Sequence, residues 1–224
     1  ILKNINFEIQ PGQFIAIVGG SGSGKTTLMH LLPRFYDISS GTITIDDIDV
    51  SDMTIASLRN NIGIVMQDTF TFSGTLKENI SYGSENAALP DIIKAARFSE
   101  LHEYIDTLPE KYDSWVGERG ITLSGGQKQR LGIARTILTA PPILIFDDST
   151  SSVDTITEQK IHSTLSTIAK GKTTLVIAHR ISTVQQADTI IVMDNGSIVN
   201  TGTHDQLLNT DNLYRRIFEI QLHN

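Results

Sequence analysis

The 224-residue chain has no cysteine, a single tryptophan, 6% aromatic residues and fewer basic than acidic side chains, 18 Lys and Arg against 25 Asp and Glu. Without cysteine there are no disulfides and no thiolate metal sites, although this leaves the compartment open. A net charge of −7 argues against nucleic acid as a partner, because phosphate-backbone recognition needs a concentrated basic surface. Lys128, Arg130 and Arg135 form only a local basic cluster. No apolar run approaches the roughly 20 residues that span a bilayer, and no basic-then-apolar leader opens the sequence, so a soluble chain is expected. Repeats, low-complexity tracts and linkers are missing too. The length suits one substantial core, or a core with a small subdomain, and is cramped for two unrelated domains.

What the chain does have is a glycine-rich run. Gly19-Gly20-Ser21-Gly22-Ser23-Gly24-Lys25-Thr26 fits the phosphate-binding pattern G-x-x-x-x-G-K-[ST]. It follows the apolar run Phe14-Ile15-Ala16-Ile17-Val18 and precedes Leu28-Met29-His30-Leu31-Leu32. Alone, such a run could be a flexible surface loop; a strand before it and a helix after it favour a nucleoside triphosphate site with Mg²⁺. The glycines let backbone N–H groups converge on phosphate oxygens without a Cβ in the way, and the helix starting near Gly24 points its positive end at the same anion. Lys25 adds a cation for the β- and γ-phosphates. Thr26 offers a hydroxyl to the metal, whose other ligands would be phosphate oxygens, water and a carboxylate from elsewhere. Need for ATP points to the cytoplasm.

Ile5, Phe7 and Ile9 alternate with polar residues up to Pro11-Gly12, which predicts an antiparallel strand turning into the loop-bearing strand. A second short strand pair is expected at 42–45. Ile62-Gly63-Ile64-Val65-Met66 is a buried-strand candidate ending in Gln67, and over 75–108 the apolar pattern turns helical, an insert among the strands. The runs at 143–146 and 174–178, separated by a helical stretch with Ile161, Leu165 and Ile168, imply parallel pairing. Ile190-Ile191-Val192-Met193, then Asp194-Asn195-Gly196, then Ser197-Ile198-Val199 reads as a hairpin with a tight Asn-Gly turn.

The chemistry gathers at strand ends and helix starts. Asp147 closes a buried run, where open α/β sheets place their ligands, and is the natural Mg²⁺ partner; an isolated Asp there would be a turn or helix cap. Asp148, next to it, stands where a base could face the γ-phosphate. Gln67 could serve the metal or the attacking water, or be merely solvated. His179 could donate to a γ-phosphate or be structural. Leu123-Ser124-Gly125-Gly126-Gln127 begins a helical stretch, either as a second anion-binding terminus or as an ordinary N-cap. Two phosphate-seeking helix ends are odd for one nucleotide unless the second serves a nucleotide held by another copy or partner, which suggests a dimer with ATP at its interface.

The loop at 19–26, Gln67, the pentapeptide 123–127, the run 143–147, Ser151 to Asp154 and His179 occur in the order seen in ATP-binding cassette (ABC) nucleotide-binding domains, which this chain resembles from Ile1 almost to Asn224. The pentapeptide is that family's signature. The resemblance implies an α/β fold: a P-loop NTPase core with a mainly parallel sheet, an N-terminal antiparallel β subdomain, and an α-helical subdomain inserted over about 72–138, with all of 1–224 forming one domain. It implies ATP contacts from Gly19, Gly20, Ser21, Gly22, Ser23, Gly24, Lys25, Thr26 and Thr27. Mg²⁺ would be held by Thr26, Gln67 and Asp147, and catalysis would involve Asp148, His179 and Gln67. Ser124, Gly125, Gly126, Gln127 and Asp154 would act in trans on ATP held by a second nucleotide-binding domain. Val116-Gly117-Glu118-Arg119-Gly120, Leu76-Lys77-Glu78-Asn79-Ile80 and Gly202-Thr203-His204-Asp205-Gln206-Leu207 look like the exporter branch, in which such domains are fused to membrane helices at the cytoplasmic face.

Two departures stand out. The family's catalytic glutamate, after the aspartate at 147, is Asp148 here, which withdraws the carboxylate by roughly 1.5 Å. A misplacement of about 1 Å can cost on the order of a hundredfold in rate. The aromatic that stacks on adenine is expected upstream of Ile1, together with transmembrane segments. In exporters with two different halves, a degenerate site of this kind is commonly paired with an intact signature, so a heterodimeric exporter is expected, with a slowly hydrolysing homodimer, a nucleotide-holding regulatory half or a soluble ABC ATPase as alternatives.

Overall fold

The computed structural model describes residues 1–66, 69–84, 86–117, 121–147, 168–178 and 181–222. Along the chain its elements are β1 (Phe14–Gly19), α1 (Lys25–Leu31), β2 (Thr44–Ile45), β3 (Ile48–Asp49), α2 (Ile55–Asn60), β4 (Ile62–Val65), β5 (Gly74–Thr75), α3 (Leu76–Ser81), α4 (Leu89–Phe98), α5 (His102–Asp106), β6 (Trp115–Val116), α6 (Gly125–Leu138), β7 (Ile143–Asp147), β8 (Thr173–Ile177), α7 (Ile181–Val184), β9 (Thr189–Asp194), β10 (Ser197–Gly202), α8 (His204–Leu208) and α9 (Leu213–Leu222). The described residues fall into two compact units, one of residues 1–62, 142–147 and 171–222, the other of 63–141 with 168–170.

In the first unit, five strands lie in the order β10-β9-β1-β8-β7. β1 runs parallel to both β8 and β9, and β7 parallel to β8; β10 returns antiparallel along β9. The parallel strands are continuous apolar runs because both faces of such a sheet are covered. Ile15, Ala16, Ile17, Leu144, Ile145, Val192 and Met193 are essentially inaccessible. The expected hairpin is present, with Asn195 and Gly196 both at positive φ, 47° and 80°. The short pair expected at 42–45 is β2 and β3, turned by Asp46 and Asp47 at φ 50° and 63°.

The segment read as an antiparallel strand at Ile5, Phe7 and Ile9 is not one. Its burial alternates as the pattern requires, but no strand forms there. Local bonds claim its end: Gln10 N donates to Gln13 Oε1, and Gln10 O accepts from Gln13 N across Pro11 and Gly12. Backbone groups used in a turn are withdrawn from a ladder.

In the second unit the helical pattern of 75–108 resolves into α3, α4 and α5, with Gly83 and Glu100 in left-handed conformations where the helices are interrupted. α3 opens with a capping box in which Thr75 Oγ1 accepts from Glu78 N and Glu78 Oε2 accepts from Thr75 N. These bonds to the carboxylate hold Glu78 below its ordinary pKa. Leu76, Ile80, Ile92, Ala96, Leu101 and Leu131 form the apolar centre, contributed by α3, α4 and α6 with the turn before α5.

A polar knot organises residues 70–82. Asn79, 1% exposed, donates to Phe72 O and Thr75 O at 2.9 and 3.0 Å and accepts from Phe72 N at 2.9 Å. Arg135 of α6 donates to Asn79 O at 2.9 Å and to Phe70 O at 3.2 Å, and its guanidinium lies over Phe72 and Tyr82. Burial lowers the Arg135 pKa from its ordinary value. Asn79→Ala should destabilise the protein by roughly 2–3 kcal/mol, because it strands buried backbone groups without partners. Denaturant midpoints check this; a change under about 0.5 kcal/mol, the size of an ordinary surface substitution, would show that the loop holds without the knot.

Candidate functional site

β1 ends at Gly19 hard against β9: a Cβ there would run into the carbonyl oxygen of Met193 and stand 2.8 Å from Ser23 Oγ. Only glycine lets the chain leave the sheet at this point. Gly24, at φ 102°, caps α1, and a side chain there would meet Leu2 Cδ2 at 2.7 Å. Between them Ser23 N donates to Gly20 O at 3.2 Å, while Gly196 N donates to Ser23 O at 3.1 Å. The loop is thereby tied to the β9–β10 turn. Ser23 is buried, and its Oγ has no hydrogen-bond partner among the described residues.

Lys25, 7% exposed, turns its ammonium back over the loop and donates to Gly19 O and Gly20 O, each at 2.9 Å. Phosphate oxygens arriving at this ammonium would replace carbonyl contacts with charge-assisted bonds to an anion, the stronger kind. The Gly-rich turn and this cation together form a receptor for a polyphosphate.

Strand register brings a carboxylate to the same place. Ile177 of β8 pairs with Ile17 on one side and with Asp147 on the other, so Asp147 stands level with β1 but two strands, or about 10 Å, away. α1 bridges that gap. Thr26 Oγ1 donates to Asp147 Oδ1 at 3.1 Å, and His30, one turn further along α1, brings Nε2 within 3.6 Å of Asp147 Oδ2. Asp147 is 5% exposed. A hydroxyl and a carboxylate oxygen side by side at the rim of a phosphate loop form an all-oxygen donor pair that fits Mg²⁺, an ion that keeps several waters and is bound through one or two carboxylates plus phosphates. Among the described residues no cluster of three or more His, Cys, Asp or Glu builds an all-protein metal cage.

In the second unit, Ser124 caps α6. Its Oγ accepts from Gln127 N at 3.3 Å, and Gln127 Oε1 accepts from Ser124 N at 2.8 Å. The side chains thus make an ordinary capping box, while exposed Ser124 and Gly125 leave the helix start open to solvent. Gly126 and Gln127 follow in the first turn. The structure folds Lys25 over Gly19 and Gly20 and sets Thr26 beside Asp147, with Thr27 lying in α1. Gln67, Asp148, Ser151, Asp154 and His179 lie outside the described residues. Sequence reading missed His30, although its spacing from Thr26, i to i+4 on one helix face, was the available signal.

A parallel sheet with a glycine loop, a buried lysine and a strand-end aspartate at one end defines a P-loop nucleotide-binding fold. A family model described as "ABC transporter" matches residues 2–151, and the chain belongs to that family of ATP-binding, ATP-hydrolysing domains. It is 48% identical over 221 residues to "Putative multidrug export ATP-binding/permease protein YgaD" of Bacillus subtilis, covering 99% of this chain and 38% of that protein. A Staphylococcus aureus protein of the same description is 49% identical over 221 residues with the same coverage. The solved structure of a bacterial Atm1-family ABC exporter with ATP bound superposes with a TM-score of 0.93 at 46% identity, over 99% of this chain and 39% of that one. The chain therefore spans less than two fifths of the length of these relatives. No helix among the described residues is long and apolar enough to cross a membrane.

Lys25→Ala should weaken nucleotide binding on the order of 100-fold or more, because it removes a buried cation from a buried anion. Calorimetry with ATP and Mg²⁺ reads this directly. Unchanged affinity would move the phosphate site away from this loop.

Proposed function

We propose that the chain, over 1–224, is the ATP-hydrolysing motor domain of an exporter. In this reading it binds ATP and Mg²⁺ through the loop at 19–27 and the pair Thr26 and Asp147, joined on the metal by Gln67. It then closes around the nucleotide with a second ABC nucleotide-binding domain and transmits that closure to a transmembrane domain of the same transporter at the cytoplasmic face of the membrane. The observation that carries the reading is the convergence of Lys25, Thr26 and Asp147 at one end of the sheet. The helical unit, read as a subdomain over about 72–138, would carry Ser124, Gly125, Gly126 and Gln127 to the partner's nucleotide, and Asp154 would act on that nucleotide too. The exposed start of α6 supports this.

A surface suited to the membrane-embedded part lies in the same unit. Phe70 is 70% and Tyr82 57% exposed, and Phe72 stacks on Tyr82 at 4.0 Å, all braced by Arg135. Aromatic side chains held open to water by a buried polar knot are a costly arrangement for a free surface and a useful one for docking.

Asp148 is the feature that makes the chemistry asymmetric. With Lys25, Thr26 and Asp147 in place, phosphate and metal binding is retained; with the base one methylene short, hydrolysis at this chain's own site is weak, assisted by Gln67 and His179. A heterodimer whose partner supplies the stronger base, completed by this chain's signature, follows. Asp148 also favours a related reading, in which this half mainly holds nucleotide and regulates its partner.

Asp148→Glu should raise hydrolysis at this site roughly 10- to 100-fold at saturating ATP with affinity unchanged, measured in the full transporter with the partner's base disabled. Asp148→Asn should cost the intact pair little. Equal and large losses from Asp148→Asn and from removal of the partner's base would restore two equivalent sites. Ser124→Arg should leave monomer binding of ATP intact and abolish nucleotide-dependent dimerisation in light scattering; loss of binding by the monomer would contradict action in trans.

A further inference from the structure

We infer that His30 is a positioning residue for the metal-binding carboxylate: its Nε2–H steadies Asp147 Oδ2 so that Oδ1, beside the Thr26 hydroxyl, faces the cation. The inference rests on the reading of Thr26 and Asp147 as Mg²⁺ ligands and adds to it the group that sets their orientation.

Three observations carry it. First, His30 Nε2 is fully buried without a hydrogen-bond partner among the described residues, and it faces Asp147 Oδ2 at 3.6 Å, just outside hydrogen-bond range. Buried polar atoms are ordinarily satisfied, and a small rotation of either side chain closes this pair. Second, the two oxygens of Asp147 are addressed by different side chains of one helix: Thr26 on Oδ1 and His30 on Oδ2, one turn apart on α1. A carboxylate bonded at one oxygen and faced at the other from the same rigid element is restricted about its χ2 axis. Third, the imidazole is itself fixed. Phe35 meets it edge to face with centroids 5.4 Å apart, and Tyr36 lies at 6.4 Å. Arg59 sits 5.1 Å from the Phe35 ring and donates to Pro33 O at 3.0 Å and Arg34 O at 3.1 Å, holding the turn that carries both aromatics.

The proton assignment follows from the acceptor. A carboxylate oxygen accepts, so a bare Nε2 would set lone pair against lone pair; a ring that carries hydrogen on Nε2 gives a donor aimed at Oδ2. Partners of this kind, hydrogen-bonded to a metal ligand without touching the metal, are known to matter for affinity.

The test uses the full-length protein and measures ATP affinity by calorimetry with Mg²⁺ and with EDTA, together with spin resonance of Mn²⁺ bound alongside ATP. His30→Leu keeps apolar bulk beside Phe35 and removes the donor; His30→Gln places an amide N–H where Nε2 stood. His30→Leu should weaken the metal-dependent part of binding about tenfold and broaden the Mn²⁺ signal, leave affinity in EDTA unchanged, and be largely rescued in His30→Gln. No change in metal dependence, an equal loss in both variants, or a loss that persists in EDTA would each overturn the inference, the last two by reducing His30 to packing. Asp147→Asn separates the levels: if it leaves metal dependence intact, the ligand reading itself fails, whereas its loss together with an unaffected His30→Leu sinks only the positioning role.

Discussion

The 3.1 Å contact between Thr26 Oγ1 and Asp147 Oδ1 closes a circuit that runs out of β1, through the glycine loop, along α1 and back to the end of β7. It forms because parallel pairing lines up the carboxyl ends of β1, β8 and β7, with Ile177 as the common neighbour of Ile17 and Asp147. An antiparallel strand at the position of β7 would send its terminal carboxylate to the opposite edge of the sheet. Every chemical property assigned to the site, from the phosphate receptor to the cation pair, depends on that shared edge.

The glycine loop is shaped before any ligand arrives. The Met193 carbonyl forbids a side chain at Gly19, Gly24 sits at φ 102° where L side chains are strained, and the β9–β10 turn holds Ser23 O through Gly196 N while Lys3 N donates to Gly196 O at 2.8 Å. Two distant stretches of sequence, the N-terminal segment and the β9–β10 hairpin, therefore converge on one short loop. Such preorganisation lowers the ordering cost of binding, so the interaction of Lys25 with an anion is not spent on building its own site. The buried Ser23 hydroxyl and the folded-back ammonium are what a loop of this kind holds ready.

Much of this was legible in the residues. The phosphate loop, the parallel runs and the Asn-Gly hairpin carry their signals locally: periodicity, a fixed glycine spacing, a turn dipeptide. What escaped was non-local. Ile5, Phe7 and Ile9 alternate as a strand should, yet strands need a partner, and the Gln10–Gln13 turn takes the backbone groups a ladder would use. The long helical pattern of 75–108 hid its interruptions because Glu100 adopts a left-handed conformation that its residue type does not advertise. Arg135 stood in the sequence only as one of a local basic cluster; its burial against Asn79, Phe72 and Tyr82 depends on a fold of residues 70–82 that no period encodes. His30 stood in the run after the phosphate loop with no role assigned. Only the register of β7 against β8 puts Asp147 in front of it.

Binding and chemistry are consequently assigned to different residues. On the function proposed above, affinity for Mg·ATP would rest on Lys25, the loop amides and Thr26 with Asp147. Rate resides in groups that meet the attacking water, and there the sequence offers a carboxylate shortened by one methylene at 148. Uniform binding lowers the concentration of nucleotide needed without accelerating its cleavage. On the function proposed above, a chain built this way would stay loaded longer than its partner's site takes to turn over, and the uncleaved nucleotide would hold the closed pair together. On the same proposal, the exposed start of α6 would give the chain a second use, because completing a neighbour's site requires an open helix terminus and no base of its own.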